Sequence, residues 1–201
     1  MLGSHHGRMQ AIHLAIFEAL RAEQVFTQAL LWLARHGATL GAALVAWVIV
    51  RHPQERIHAC AVVLAALLAS AIAHALADSL GFVRPYMAGL GTPRIPHGAR
   101  GGLPSAHASV MFTVALLLWR RPNLRLTALA ATLLAVLTSW GRIHANVHFP
   151  IDIAAGLLLA VVLATAVHLL PRGLSHLSRR TARSPVQALA LDDAAPTIRA
   201  G

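Results

Sequence analysis

Five stretches of the chain are almost continuously apolar: about Leu30 to Val50, Ile57 to Ala77, Ala106 to Trp119, Leu126 to Trp140 and Ile151 to Leu170. Each approaches the roughly 20 residues that a helix rising about 1.5 Å per residue needs to cross about 30 Å of hydrocarbon. The third is the shortest, and completes a span only if its helix begins at Pro104 and runs close to Arg121, whose side chain can snorkel toward headgroups. A further apolar stretch, Ala11 to Leu31, is interrupted by His13, Glu18, Arg21 and Glu23. That pattern fits an amphipathic helix lying in the interface or a sixth span facing the bundle. The expected fold is therefore all-α, a polytopic membrane helical bundle with five or six transmembrane helices. Its parts are a membrane-associated N-terminal helix over 1–29, a transmembrane domain over 30–172 and a basic cytoplasmic tail over 173–201. No basic start is followed by a short apolar core and a small-residue cleavage site, so no cleavable signal peptide is expected.

Composition removes the alternatives to a membrane protein. The 201 residues are 57% hydrophobic and 12% charged, with a mean hydropathy of +0.62, whereas a soluble domain is about a quarter charged. A single cysteine, Cys60, excludes an intrachain disulfide and a thiolate metal cluster. The formal charge is +10, from seventeen basic residues, every one an arginine, against seven acidic ones. The arginines stand between apolar runs rather than among exposed aromatics. Membrane lipids and phosphate are thus the expected partners, and nucleic acid is not.

The arginines also orient the bundle. Arg51 and Arg56, then Arg120, Arg121 and Arg125, then Arg172, Arg179, Arg180 and Arg183 fall on one side if the spans alternate. Basic residues mark the cytoplasmic side. The opposite side receives the segment from Asp78 to Leu103 and the turn from Gly141 to Pro150. These carry Arg84, Arg94, Arg100 and Arg142 against the topological bias, as a negatively charged ligand would require.

Three polar clusters fall at that outer face: Val83-Arg84-Pro85-Tyr86, Leu103-Pro104-Ser105-Ala106-His107, and Gly141 through Asp152. Pro104 and Pro150 each suit the first turn of a following helix, where the missing N–H costs nothing. Helix N-termini present free N–H groups and positive dipole ends to an anion. Arg84 and Arg142 can grip phosphate oxygens through bidentate bonds, and each has an alternative role as a headgroup anchor. Ser105 can donate its hydroxyl to the ligand or cap a helix. His148 and Asp152 stand four apart, so the carboxylate can hold one ring nitrogen protonated and leave the other as nucleophile or base. His107 can protonate a departing oxygen. His74, four before Asp78, reads as half of a structural pair. His144, His148 and Asp152, with His97 or His107, also have the spacing of a metal site, but Pro150 interrupts a continuous helix through them, and neither metal nor cofactor is expected.

Together these residues resemble the type 2 phosphatidic acid phosphatase superfamily, the PAP2 lipid phosphate phosphatases. That family carries a lysine, six residues and Arg-Pro; then Pro-Ser-Gly-His; then Ser-Arg, five residues, His, three residues and Asp. The counterparts are Arg84-Pro85, Pro104-Ser105-Ala106-His107, and Arg142 with His148 and Asp152. The resemblance implies that His148 attacks phosphorus to form a phosphohistidine, that Asp152 orients it, and that His107 protonates the leaving group and later activates water. It implies phosphate binding by Arg84, Arg142 and Ser105. Three positions depart: Ala77 stands for the lysine, Ala106 for the glycine and Gly141 for the serine. Arg94 or Arg100 is expected to supply the missing cation.

The stretch Phe82 to Tyr86, followed by Ile95-Pro96-His97 and Leu103 to His107, is similar to the bacterial undecaprenyl-diphosphatase branch known from bacitracin resistance. Membership implies hydrolysis of undecaprenyl diphosphate at the outer face of the inner (cytoplasmic) membrane, serving peptidoglycan biosynthesis, with a polyprenyl or other lipid phosphate as partner. A phosphatase or phosphotransferase acting on phosphatidylglycerol phosphate, phosphatidate or lipid A would carry the same core. A non-catalytic lipid transporter is the alternative of another class.

Overall fold

The computed structural model describes the backbone of residues 3–181 and the side chains of residues 24–169. The amphipathic face expected for Ala11 to Leu31 therefore falls largely on side chains outside the described residues, as does the basic tail beyond 181. The chain divides into two compact units, 1–164 and 165–201. Every residue of the site discussed below lies in the first; the second continues as helix to Thr181.

Among the described residues five α-helices make the fold: α1 (Gly3–Arg51), α2 (Arg56–Leu80), α3 (Ala106–Leu118), α4 (Arg125–His144) and α5 (Pro150–Thr181). Among the described residues four segments, Gln24–Arg51, Pro53–Leu80, Pro122–His144 and Pro150–Leu169, are long and apolar enough to cross a membrane, and Ala106–Leu118 is a shorter apolar helix. The chain is a multi-pass membrane helical bundle. Its outward faces carry Leu64, Leu67, Leu133, Leu158 and Val162 in the open, as a surface solvated by lipid requires. Between helices the contacts are made by small residues. The buried stripe of α2 is Ala59, Val62, Ala65, Ala69, Ala73 and Ala77, and that of α4 includes Ala128, Ala131 and Ala135. Small side chains let helix backbones approach closely where no hydrophobic drive separates helix from lipid.

The third helix differs from expectation. It starts at Ala106 rather than Pro104 and spans 13 residues, about 20 Å at the standard rise. Pro104 lies before the helix, after a cis peptide bond from Leu103, and Ser105 takes the N-cap position. A short helix is tolerable here because α3 is enclosed by protein: Ala108, Ser109, Met111, Thr113, Val114, Ala115, Leu117 and Leu118 are all buried. Its two internal hydroxyls return to the backbone, Ser109 to the Ser105 carbonyl at 2.9 Å and Thr113 to the Ser109 carbonyl at 2.7 Å.

The connections sort to two ends. Glu55, between α1 and α2, forms an ion pair with Arg121, between α3 and α4, at 3.2 Å, which ties the two arginine-rich turns together. At the other end lie the long segment 81–105 and the short 145–149 connection. They are joined through the Arg94 N–H to the Ala145 carbonyl at 3.0 Å and the Asn146 amide to the Leu90 carbonyl at 2.6 Å. Ile95 is buried there with Ala34, Ala145 and Val147. Non-helical backbone near a membrane survives when protein surrounds it and its polar groups are satisfied. This packing is what carries the 81–105 segment over the ends of the helices.

One substitution in the polar clusters has a packing explanation. A Cβ at Gly141 would collide with the Leu30 carbonyl and crowd the Ala34 methyl. The close crossing of α1 and α4 thus requires glycine at the position where the resemblance expects serine.

Candidate active site

Phe149 and Pro150 set the geometry at the start of α5. The Asp152 carboxylate oxygen Oδ2 accepts the Phe149 N–H at 2.9 Å and faces His148 Nδ1 at 3.1 Å. A single side chain therefore terminates the helix and orients the imidazole. Because Nδ1 faces a carboxylate oxygen, it carries the proton, and Nε2 holds the lone pair. Burial lowers the basicity of His148 below the ordinary imidazole range. The Asp152 hydrogen bond opposes that effect, and the charges of Arg142 and Arg84 add to it.

Arg84 reaches this ring from the 81–105 segment. Its Nη1 donates to His148 Nε2 at 2.9 Å and to the Val147 carbonyl at 2.8 Å, while Nε and Nη2 donate to the carbonyls of Arg100 and Gly101, each at 2.8 Å. Four of the five guanidinium N–H groups are thereby committed to the protein. Arg84 is a brace as much as a ligand, a role the bidentate expectation did not include. Gly102 permits the segment to pass: a Cβ there would stand 2.9 Å from Asp152 Oδ2.

Arg142, in the last turn of α4, is less committed. Nη1 donates to the Ala34 carbonyl at 3.1 Å and Nη2 to His97 Nε2 at 2.6 Å, while its buried Nε makes no hydrogen bond among the described residues. Arg84, Arg142, His148 and Asp152 are all buried, at 6, 3, 2 and 2% exposure. Two desolvated guanidinium groups facing one carboxylate leave an uncompensated positive charge, which an anion would stabilise.

Sequence reasoning gave His97 no role outside a metal site. The structure places it at the centre. Its Nδ1–H donates to the Gly98 carbonyl at 3.2 Å, so Nε2 is free to accept from Arg142, and its ring stands edge-on to His148 with centroids 6.0 Å apart. Burial, followed by the charges of Arg84 and Arg142, pushes its imidazole down to about 4. A neutral ring is required, since a second N–H would point at the guanidinium. The signal available in sequence was its place ten residues before His107 in a segment rich in glycine and arginine.

His107 projects from the first turn of α3 and makes no hydrogen bond among the described residues. It lines a polar cavity of about 80 Å³ together with Arg84, His97, Arg100, Arg142 and His148. Ser105 is fully buried beside it. Its N–H donates to the Asp152 carbonyl at 2.9 Å, but its hydroxyl makes neither the cap bond nor any other among the described residues. The two auxiliary arginines separate. Arg100 lines the cavity and lies 3.8 Å from Asp78, whereas Arg94 donates to His144 Nε2 at 3.1 Å and is not part of the lining. His144 is thus engaged away from His148 and Asp152, with which it shares the metal-like spacing. The expected His74–Asp78 pair does not form. His74 Nδ1 donates to the Ser70 carbonyl at 2.8 Å, one turn earlier on α2, and Asp78 meets Arg100 instead.

A second cavity, about 440 Å³, lies among α1, α2, α3 and α4 and is walled chiefly by Ala, Gly, Val, Leu and Ile. His74, Ala106 and His107 line both cavities. The site is therefore a small cationic chamber that adjoins an apolar one, with two histidines lining both.

Comparisons with known proteins bear on the family and the fold. Over 95 residues the chain is 30% identical to YbjG of Escherichia coli (strain K12), provisionally named as an undecaprenyl-diphosphatase; the match spans 46% of each chain, about half the length of that relative. The fold is similar to the crystal structure of the first transmembrane PAP2 type phosphatidylglycerolphosphate phosphatase from Bacillus subtilis. There the TM-score is 0.50 and the identity 18%, over 78% of this chain and 87% of that one. The PAP2 superfamily pattern matches residues 58–175, more than half of the chain, and takes in α2, α3, α4, the start of α5 and every polar side chain of the small chamber. This membrane protein belongs to the PAP2 superfamily.

Proposed function

We propose that the protein is an integral membrane lipid diphosphate phosphatase that converts undecaprenyl diphosphate to undecaprenyl phosphate and inorganic phosphate through a phosphohistidine intermediate. The observation that carries this reading is His148, held at Nδ1 by Asp152 and facing with Nε2 a chamber shared by His107, Arg84 and Arg142. The membrane is the bacterial inner membrane. The arginine-rich turns lie on its cytoplasmic side, so the chamber faces the periplasm or outer leaflet.

In the resting arrangement the Nε2 lone pair is covered by Arg84 Nη1–H. A phosphate oxygen is a stronger acceptor than imidazole, so an incoming phosphoryl group takes that donor and uncovers the nucleophile. Nε2 then forms a bond to phosphorus as the bond to the bridging oxygen breaks, and His107 gives its proton to the departing lipid phosphate. Arg84 and Arg142, with the unpartnered Ser105 hydroxyl, balance charge on the equatorial oxygens. Water next attacks phosphorus, His107 takes its proton, inorganic phosphate leaves, and His148 returns to its neutral state.

The test is phosphate release by the purified protein, in chelator, from undecaprenyl diphosphate, phosphatidylglycerol phosphate, phosphatidate and lipid A. The first is expected to have the highest kcat/KM, and His148→Ala to lower its release by at least about 10³-fold, the scale of removing a nucleophile. Preferred turnover of another lipid would reassign the substrate. Full activity of a folded His148→Ala variant would end the phosphohistidine assignment.

A further inference from the structure

The two cavities differ in what they can hold. The polar chamber, about 80 Å³, is several times smaller than the apolar cavity beside it, so the compact, charged phosphoryl group to be transferred belongs in it and the tail does not. The apolar cavity, about 440 Å³ with walls of Ala42, Val45, Leu67 and Val114, suits the hydrocarbon tail of the same substrate. When the phosphoryl group to be transferred fills the chamber, whatever joins it to the tail must lie at the junction. In a monophosphate that joint is an ester oxygen. In a diphosphate it is a second, anionic phosphate.

The junction residues are His74, Ala106 and His107. His107 is already occupied with the leaving oxygen, and Arg84 and Arg142 are bonded inward. His74 is the remaining polar group. Its Nδ1–H is fixed on the Ser70 carbonyl at 2.8 Å, which sets the ring orientation, and its Nε2 makes no hydrogen bond among the described residues. It also stands one turn before Ala77 on α2, and both line the chamber.

We propose that His74 binds the phosphate that remains on the lipid and thereby makes this site select diphosphates over monophosphates. The proposal rests on the lipid phosphatase reading. Nδ1–H stays on the Ser70 carbonyl while a second hydrogen bond joins Nε2 to a phosphate oxygen. Such a charge-assisted bond has no counterpart in a monophosphate, whose ester oxygen carries no charge.

The experiment compares kcat/KM for a polyprenyl diphosphate and the monophosphate bearing the same tail, by phosphate release from purified protein in detergent. In the wild type the ratio exceeds one. His74→Ala should lower the ratio about tenfold, the effect of one hydrogen bond to a charged group, and His74→Lys, which keeps a cation, should hold it within about threefold of the wild type. If the alanine variant does not fold, His74→Gln, which keeps volume without the charge, is read in the same way. A ratio unchanged by loss of the imidazole overturns the proposal and leaves the proposed function intact; a wild type that does not favour the diphosphate overturns the proposal and reassigns the substrate, leaving a lipid phosphatase. A wild type that releases phosphate from neither lipid defeats both.

Discussion

The small chamber and the large cavity meet at His107 but are built of opposite materials. The chamber is walled largely by charged and polar groups, and the three buried ones are tied by directed bonds: Arg84 to three carbonyls and His148, Arg142 to Ala34 and His97, His148 to Asp152. The large cavity is walled by alanines, glycine and branched aliphatics, whose contacts have no direction. Loss of one partner in the chamber strands a desolvated polar group, which is costly. Exchange of one aliphatic for another in the cavity changes volume alone. On the proposed function, chemistry is thus confined to a region that tolerates little change, and tail selection to a region that tolerates much. One helical fold can in this way serve different lipids with the same phosphoryl-transfer apparatus.

The sharpest way to break this contrast is at Asp152. In Asp152→Asn the side chain keeps its volume but loses the acceptor charge that fixes the His148 tautomer; kcat should fall by about 10² to 10⁴. A folded variant within tenfold of the wild type would remove Asp152 as the orienting group. Acidity tests the same bond. In the proposed mechanism His148 attacks in its neutral form, and its basicity is lowered by burial, so activity should be present above its folded-state value and be lost as pH falls through it. The acid limb of kcat/KM should lie below the ordinary imidazole value of about 6.5, falling about tenfold per unit beneath the limb. A limb above pH 7 would show that a different group limits the reaction.

Smaller effects separate positioning from substrate contact. His97→Ala removes the acceptor that holds Arg142 Nη2 and should lower kcat about tenfold, with partial recovery in His97→Gln, whose amide oxygen can accept the same N–H. Equal damage by both variants would assign His97 to packing alone. In the large cavity, Ala42→Leu adds volume on the tail side and should lower the ratio of kcat/KM for a long polyprenyl substrate to that for a short-chain one by a fewfold; an unchanged ratio would place the tail elsewhere. The smallest effect belongs to the scaffold. Gly141→Ser introduces a Cβ against the Leu30 carbonyl and should cost about 1–3 kcal/mol, read as a lower Tm in detergent.

Much of this was legible in the sequence because it depends on local periodicity. Apolar runs marked all five helices, Pro150 marked the start of α5, and the i to i+4 spacing of His148 and Asp152 announced their bond. Positions that failed did so where an outside partner decided. The start of α3 moved from Pro104 to Ala106. Asp78 left His74 for Arg100, which approaches from the 81–105 segment. Arg94, equal to Arg100 in sequence terms, was drawn to His144. His97 stood in the Ile95-Pro96-His97 stretch without a side-chain role outside a metal site, and its value comes from standing against Arg142 across 45 residues of chain.

Taken alone, the order of residues determined that the chain would be helical, would live in a membrane and would bring Arg84, Arg94, Arg100 and Arg142 to the same end as His107 and His148. Hydrophobic run length and charge placement act on each segment separately, so no knowledge of neighbours was needed. Only the tertiary structure decided which guanidinium donors remain free, which histidine serves another side chain, and that the polar chamber adjoins an apolar cavity. Those properties depend on carbonyls and walls contributed by distant segments, and they exist only once α1 and the 81–105 segment have packed against the ends of α4 and α5.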